Sequence, residues 1–395
     1  MSVFNNSRFR NIRSAAFNAA GFAWVAAALA WAVPAGAQTY PLTLMPTAQT
    51  EPQEWVFTFD QPAAGWGESA FDDANWKKGL SGFGTRGTPG AVIGTEWSTP
   101  DIWIRRTIDL KDMANKSGLS LLLHHDEDVE VFVNGIQVYA ATGYSVRYEV
   151  DYLDLEGVKA FVEGTNTIAV HCHQTIGGQY LDLGLVEYVA GQSVDLIQNS
   201  FSGGSDWKYL TTDPNGDCTT LSFDDAAWLT GKGGFGAGGD MASQIHTDWT
   251  SSDIYLRGKF TVTAGQFAHY ILNVAHDDEA TVWINGKQVA MLSGYQTSAQ
   301  ALDISGPAKG AIVAGENVLV IQCHNAAGTP QYVDASLVGL PAEVPVALDA
   351  PSNRRVTASE ARFFRWSPGH SRLLVGAHGR VSDLAGRAAP SAFPR

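Results

Sequence analysis

The densest concentration of reactive side chains in this 395-residue chain is His125-Asp126-Glu127-Asp128, which returns 151 positions later as His276-Asp277-Asp278-Glu279. Clustered carboxylates lend themselves to three kinds of chemistry. They can cap backbone N–H groups in a polar turn, ligate a hard cation such as calcium, or act as a paired acid and nucleophile in glycoside hydrolysis. Neighbouring residues of a strand face opposite sides, so adjacency alone does not create a facing pair. The turn is the first reading, the cation site the second and catalysis the third.

Other candidates surround these clusters. His171 and His173 lie on one strand face, close enough to share a metal, but the second copy carries Gln322 where the first has His171. His125 with His276, and His173 with His324, occur in both copies, either as ligand contacts or as hydrogen-bonded histidines that orient a loop. Trp97 and Trp249, or Trp103 and Tyr255, could stack on sugar rings or fill a core. Asp213-x-Asn215-x-Asp217 opens like a calcium loop, but Cys218 stands where such a loop needs glycine, which favours an ordinary Asx turn.

Motifs with strong catalytic logic are missing: the chain has no H-E-x-x-H, no C-x-x-C and no G-x-S-x-G. Gly231-x-Gly233-x-x-Gly236 matches a dinucleotide fingerprint only literally, because no strand-to-helix unit surrounds it. No catalytic residue is assigned, and no cofactor is required.

The elements that hold these groups come in two sets. Phe71-Asp-Asp-Ala-Asn-Trp76 returns as Phe223-Asp-Asp-Ala-Ala-Trp228, an offset of 152, and a one-residue deletion separates this register from that of the acidic clusters. So long a period implies two complete domains, each with its own core. Module one is placed at 53–190, a linker at 191–204 and module two at 205–341. Val129, Val131 and Val133 alternate with polar or outward residues before Asn134-Gly135, a two-residue hairpin turn repeated at Asn285-Gly286. With no long helical periodicity, the pattern predicts an all-β chain of two tandem β-sandwiches. Cys172 and Cys323 fall on core-facing strand positions of separate modules and are not expected to pair.

Residues 1–37 carry Arg8, Arg10 and Arg13, an apolar run and Ala35-Gly-Ala37, which reads as a cleaved signal peptide. That predicts a secreted, periplasmic or cell-surface protein with no membrane span after cleavage. Residues 351–395 form a basic tail, either poorly ordered or a partial sorting domain. The net charge is −14; setting aside +3 in the leader and +6 in the tail leaves −23 on the body. Such a body disfavours nucleic acid and anionic membranes.

Taken together, Asp101-Ile-Trp-Ile-Arg-Arg106, the His125–Gly135 string, Gly143-Tyr144, Gly164-Thr-Asn166 and Gln179-Tyr-Leu-Asp182 recur in order in module two. This order resembles the galactose-binding-like jelly-roll domain, the sugar-binding domain type of family 2 glycoside hydrolases. The resemblance implies two tandem jelly rolls, ligands held by loops at one rim, and a structural calcium in many members, with no ligand set that maps here. Those hydrolases place their catalytic glutamates on a separate barrel, for which 53–341 has no counterpart. The resemblance therefore implies a non-catalytic carbohydrate-binding protein for a neutral glycan. Its rim candidates are Trp97, His125, Asp126, His173, Gln179 and Tyr180, with Trp249, His276, Asp277, His324, Gln331 and Tyr332. The alternatives are a glycoside hydrolase, or an accessory fragment of one, and a structural module that packs against an enzyme partner.

Overall fold

The computed structural model describes residues 38–116, 118–326, 328 and 330–341, together with the short antiparallel strands Leu374–Val375 and Val381–Ser382. The expected signal peptide at 1–37 and the rest of the 351–395 tail lie outside the described residues.

The chain is all-β and builds two jelly-roll sandwiches in tandem, each from two six-stranded sheets. In the first, one sheet runs Glu149–Tyr152, Leu119–Asp126, Tyr180–Gly191, Phe83–Gly84, Thr95–Glu96, with Gln38–Met45 also paired to Tyr180–Gly191. Its partner sheet runs Lys77–Leu80, Glu54–Thr58, Asp101–Leu110, Gly164–His173, Asp128–Val133, Ile136–Ala141. Module two repeats both sheets in the same order.

Alternation explains the layering. Leu121, Leu123, Leu183 and Leu185 of one sheet face Val129, Val131, Ile168 and Val170 of the other, all buried with Trp55, Phe83 and Trp97. Their counterparts around Trp207, Phe235 and Trp249 form a separate core. Asn134 and Gly135 have φ of 51° and 86°, and Asn285 and Gly286 repeat this at 49° and 88°. Two consecutive positive φ values make the type I′ turn expected of Asn-Gly. Asn134 Nδ2 then donates to Ala160 O and Asn166 Oδ1 at 2.9 Å each, and Thr167 N donates back to Asn134 Oδ1 at 2.9 Å. Asn285 and Asn317 repeat that amide pair.

The repeated FDDAxW string is a clasp over the outer face of the second sheet. Arg105, buried in the middle of a strand, pairs with Asp73 at 2.7 Å and donates to the carbonyls of Trp66 and Glu68. Phe71 lies under the guanidinium at 5.2–5.3 Å in both copies, Phe223 under Arg257 being the twin. Arg257 pairs with Asp225 at 2.8 Å and donates to Cys218 O, so Cys218 fills the position of Trp66. Asp72 and Asp224 cap their own turns through Ala74 N and Ala226 N.

The module boundaries shift from those expected. Val194–Ile197, inside the stretch placed as a linker, is a strand paired antiparallel with Gln331–Leu340. Gln38–Met45 does the same job in module one, ahead of the expected start at residue 53. Val194–Ile197 is only four residues long, which masks its alternation. The offset also returns to 152 at Tyr180 and Tyr332, because the loop 325–330 is one residue longer than 174–178.

The modules meet along that first strand. Tyr40 and Leu42 pack with Ile271, Val338 and Leu340 of module two, and Thr43 N donates to Asp303 Oδ2 at 3.0 Å. The Gln49 and Gln300 amides pair at 2.9 Å. A Cβ on Gly294 would sit 2.8 Å from Gly90 N, so this backbone approach requires glycine.

Candidate functional site

The twelve expected site residues separate by burial. Trp97 and Trp249 are 1 % exposed, inside the two cores, and their indole N–H groups are spent on Thr99 Oγ1 at 3.1 Å and Ser251 Oγ at 3.0 Å. Their ring faces are therefore core surface rather than open platforms. Tyr180 is fully buried; its hydroxyl joins Tyr148 OH at 2.7 Å and Val92 O at 3.1 Å. Tyr332 is 2 % exposed and bonds Ser200 Oγ at 3.1 Å. Gln179 and Gln331 are interior struts, donating to Thr99 O at 2.6 Å and Ser251 O at 3.0 Å.

Beneath Tyr180 lies a buried carboxylate. Asp182 accepts from Ala48 N at 2.7 Å and Tyr148 OH at 2.6 Å, and burial pushes its pKa up to about 6 against those hydrogen bonds. Asp334 accepts from Ser200 N at 2.9 Å and Ser200 Oγ at 2.7 Å and is likewise raised by burial. These carboxylates tie the loop after each module's first strand to its last strand. Near Asp182, His124 is held neutral, its pKa lowered to about 3 chiefly by burial.

The acidic clusters turn inward at their histidines. His125 Nδ1 donates to Glu127 O and His276 Nδ1 to Asp278 O, closing the same tight turn in both modules. Asp126 is raised by burial and by the charge of Glu127; Asp277 is raised to about 6 by burial and by Asp278. Asp128 Oδ1 accepts from Gly143 N and Asp278 Oδ2 from Ala326 N, each at 2.8 Å. Among the described residues no group of three or more His, Cys, Asp or Glu side chains is placed to hold a metal ion. At the other calcium-like string, Asp217 Oδ1 turns back onto Thr219 N at 3.1 Å, an Asx turn.

Directly opposite each raised aspartate stands an aromatic that sequence reasoning passed over. Tyr144 forms an antiparallel bridge with Asp126 and Tyr295 pairs with Asp277, so ring and carboxylate share a face. Tyr144 is 66 % exposed and Tyr295 57 %. Their recurrence after a glycine, as Gly143-Tyr144 and Gly294-Tyr295, was the available signal.

His173 and His324 remain half-exposed, each donating from Nδ1 to an aspartate, Asp101 at 2.8 Å and Asp253 at 2.9 Å. Only module one adds His171, which donates to the same Asp101 oxygen at 2.9 Å and stacks on Trp103 at 4.5 Å. Burial raises the Asp101 pKa, yet the two histidine hydrogen bonds hold it below the usual carboxylate range. These histidines line an open depression of about 460 Å³ with Asp128, Glu130, Ala140 and Thr142. In module two, Gln322 donates to Tyr255 OH at 3.3 Å at the corresponding place.

No family model and no curated protein matches the chain. Among solved structures it is similar to a Bacteroides uniformis beta-glucuronidase 2 covalently bound to cyclophellitol-6-carboxylate aziridine, at 15 % identity and TM-score 0.26, covering 76 % of this chain and 30 % of that one. A beta-glucuronidase from glycoside hydrolase family 2 gives 12 % identity, TM-score 0.26 and coverages of 74 % and 27 %. A Streptomyces avermitilis alpha-L-rhamnosidase complexed with L-rhamnose gives 16 %, 0.21 and coverages of 78 % and 28 %. The chain thus spans less than a third of the length of these enzymes.

Proposed function

We propose that the chain is a secreted, non-catalytic carbohydrate-binding protein whose two sandwiches each present one saccharide site. The observation that carries this reading is the duplicated pairing of an exposed tyrosine with an aspartate, Tyr144 with Asp126 and Tyr295 with Asp277. A pyranose offers an apolar C–H face, which suits a flat amphipathic ring, and hydroxyls around its edge, which suit a neighbouring carboxylate acceptor. Each site is shallow, so affinity for a polymer comes from engaging both at once.

The use of the other carboxylates supports binding over turnover. Asp73 and Asp225 neutralise buried arginines, Asp182 and Asp334 accept backbone and hydroxyl protons, and Asp101 is bonded to histidines. Hydrolysis instead needs two carboxyl groups flanking a bond at defined separation. The test is a glycan array and affinity electrophoresis with the full chain, beside an aryl-glycoside panel. Retention of a neutral glycan without glycoside release supports the reading; absence of retention on every glycan, or turnover lost on Asp126→Asn with Asp277→Asn, defeats it.

A further inference from the structure

Between the two modules lies an enclosed cleft of about 250 Å³ whose walls come from both. Module one supplies Val150, Tyr188 and Thr47, and module two supplies Gln296 and Gln300 from the strand Tyr295–Asp303. The volume falls below the roughly 300–1,000 Å³ of sites for drug-sized molecules, which suits a single sugar ring.

The cleft opens beside an aromatic pair outside the duplication. On the outward face of the first sheet, Tyr152 packs on Tyr188 with ring centroids 5.7 Å apart and planes at 41°. Tyr152 is 71 % exposed and Val150 36 %. Val150 pairs with Leu122 and Tyr152 with Ser120, which places both side chains on the face away from the core residues Leu121 and Leu123. In module two, Leu340 stands where module one has Tyr188 and is buried beneath Tyr40. This platform therefore belongs to module one alone.

The cleft carries a single carboxylate, which His269 Nδ1 approaches at 3.5 Å. Its one acid, Asp303, has its oxygens taken by Thr43 N and Ser305 N at 3.0 Å each and by the Ser305 hydroxyl. What remains is aromatic, aliphatic and threonine surface from module one, facing the amides of Gln296 and Gln300 from module two. The far end reaches Gln296, the residue after the exposed Tyr295.

We propose that the inter-module cleft is a third saccharide subsite, in which a sugar ring rests on Tyr188, which lines the cleft, and overhangs Tyr152, which packs on Tyr188 at its edge, while Gln296 and Gln300 meet its hydroxyls. It rests on the carbohydrate-binding reading above and adds a site at the junction, separate from the two duplicated tyrosines. An acidic sugar gains nothing from it, since no cationic side chain lines the cleft.

The experiment is calorimetric titration of the full chain with cellohexaose, xylohexaose and mannohexaose, with thermal melting of each variant as a folding control. Tyr152→Ala is expected to weaken the best hexasaccharide at least fivefold at unchanged melting temperature, while Tyr152→Phe stays within twofold. The pair Tyr144→Ala and Tyr295→Ala is expected to leave residual binding that Tyr152→Ala then removes. If Tyr152→Ala titrates like the wild type while the Tyr144 and Tyr295 variants lose affinity, the cleft proposal falls and the duplicated sites stand. If the wild type binds no hexasaccharide, both readings fall.

Discussion

Arg257 and Asp225 form an ion pair of 2.8 Å in which the guanidinium side chain is fully buried, and Arg105 and Asp73 reproduce it at 2.7 Å in the other module. Removing one member of such a pair leaves a buried charge uncompensated, which costs about 3–5 kcal/mol. The carbonyls of Cys218 and Thr220 keep partial contact with Arg257, so Asp225→Ala is expected at the lower end, about 3 kcal/mol. Urea unfolding followed by tryptophan fluorescence measures this; a loss under about 1 kcal/mol, the level of a surface pair, would show the clasp to be ornamental.

Asp182 sets a pH dependence whose sign follows from its environment. Burial raises the folded pKa to about 6, from an ordinary value of 3.8, so the folded state holds the proton more tightly than the unfolded chain. The associated stability is fully present below pH 4 and is lost as pH rises through 6. Asp182→Asn removes that loss, at most about 1.4 kcal/mol per pH unit for one proton. His124 opposes it: a pKa lowered to about 3 costs stability as pH falls below 6.5. Urea midpoints at pH 4.5 and 7 should therefore lie further apart in Asp182→Asn than in wild type, with pH 7 the more stable, because the His124 cost at low pH is no longer offset; identical differences in the two proteins would refute the assignment.

The cysteines are expected to be chemically silent. Cys172 and Cys323 are fully buried in separate cores, and burial pushes both thiols well above their ordinary pKa. Cys218 is also buried and raised. A thiol-reactive chromophore should label none of the three in native buffer within minutes and all three in denaturant. Rapid native labelling would mean that the strand faces are misassigned.

Binding to a polymer should depend on Tyr144 and Tyr295 jointly. Either single alanine variant is expected to reduce retention on a polysaccharide gel by about tenfold or more, because it forfeits the avidity of two sites on one chain. The double variant should fall further, to the residual retention of the inter-module cleft alone, with its melting temperature intact, both rings being mostly exposed.

The fold was legible where a local rule has few solutions. Asn-Gly at 134 and 285 admits positive φ twice in succession, and the repeat offset defined two domains. The site was less legible because aromatic type does not reveal which way a ring points. Trp97 and Trp249 carry a hydroxyl residue two positions on, Thr99 and Ser251, and those hydroxyls satisfy the indoles internally. Tyr144 and Tyr295 share only a preceding glycine, Gly143 and Gly294, which says nothing of where the ring points. The burial of Arg105 and Arg257 was not legible, because the acid that pairs with each lies 32 residues upstream and is brought to it by a loop. The edge strand Val194–Ile197 was hidden because four residues are too few to display a period.

The strand Gln38–Met45 is hydrogen-bonded into one sandwich while Tyr40 and Leu42 sit against the other. That splint holds Tyr144 and Tyr295 at a set separation instead of letting them swing on a tether. Under the proposed function the molecule would act as a ruler: a polysaccharide whose helical pitch brings like faces round at that interval would be gripped at both marks, and one of different pitch only at one. Serine at both Tyr40 and Leu42 would slacken the ruler, trading discrimination between polymers for tolerance.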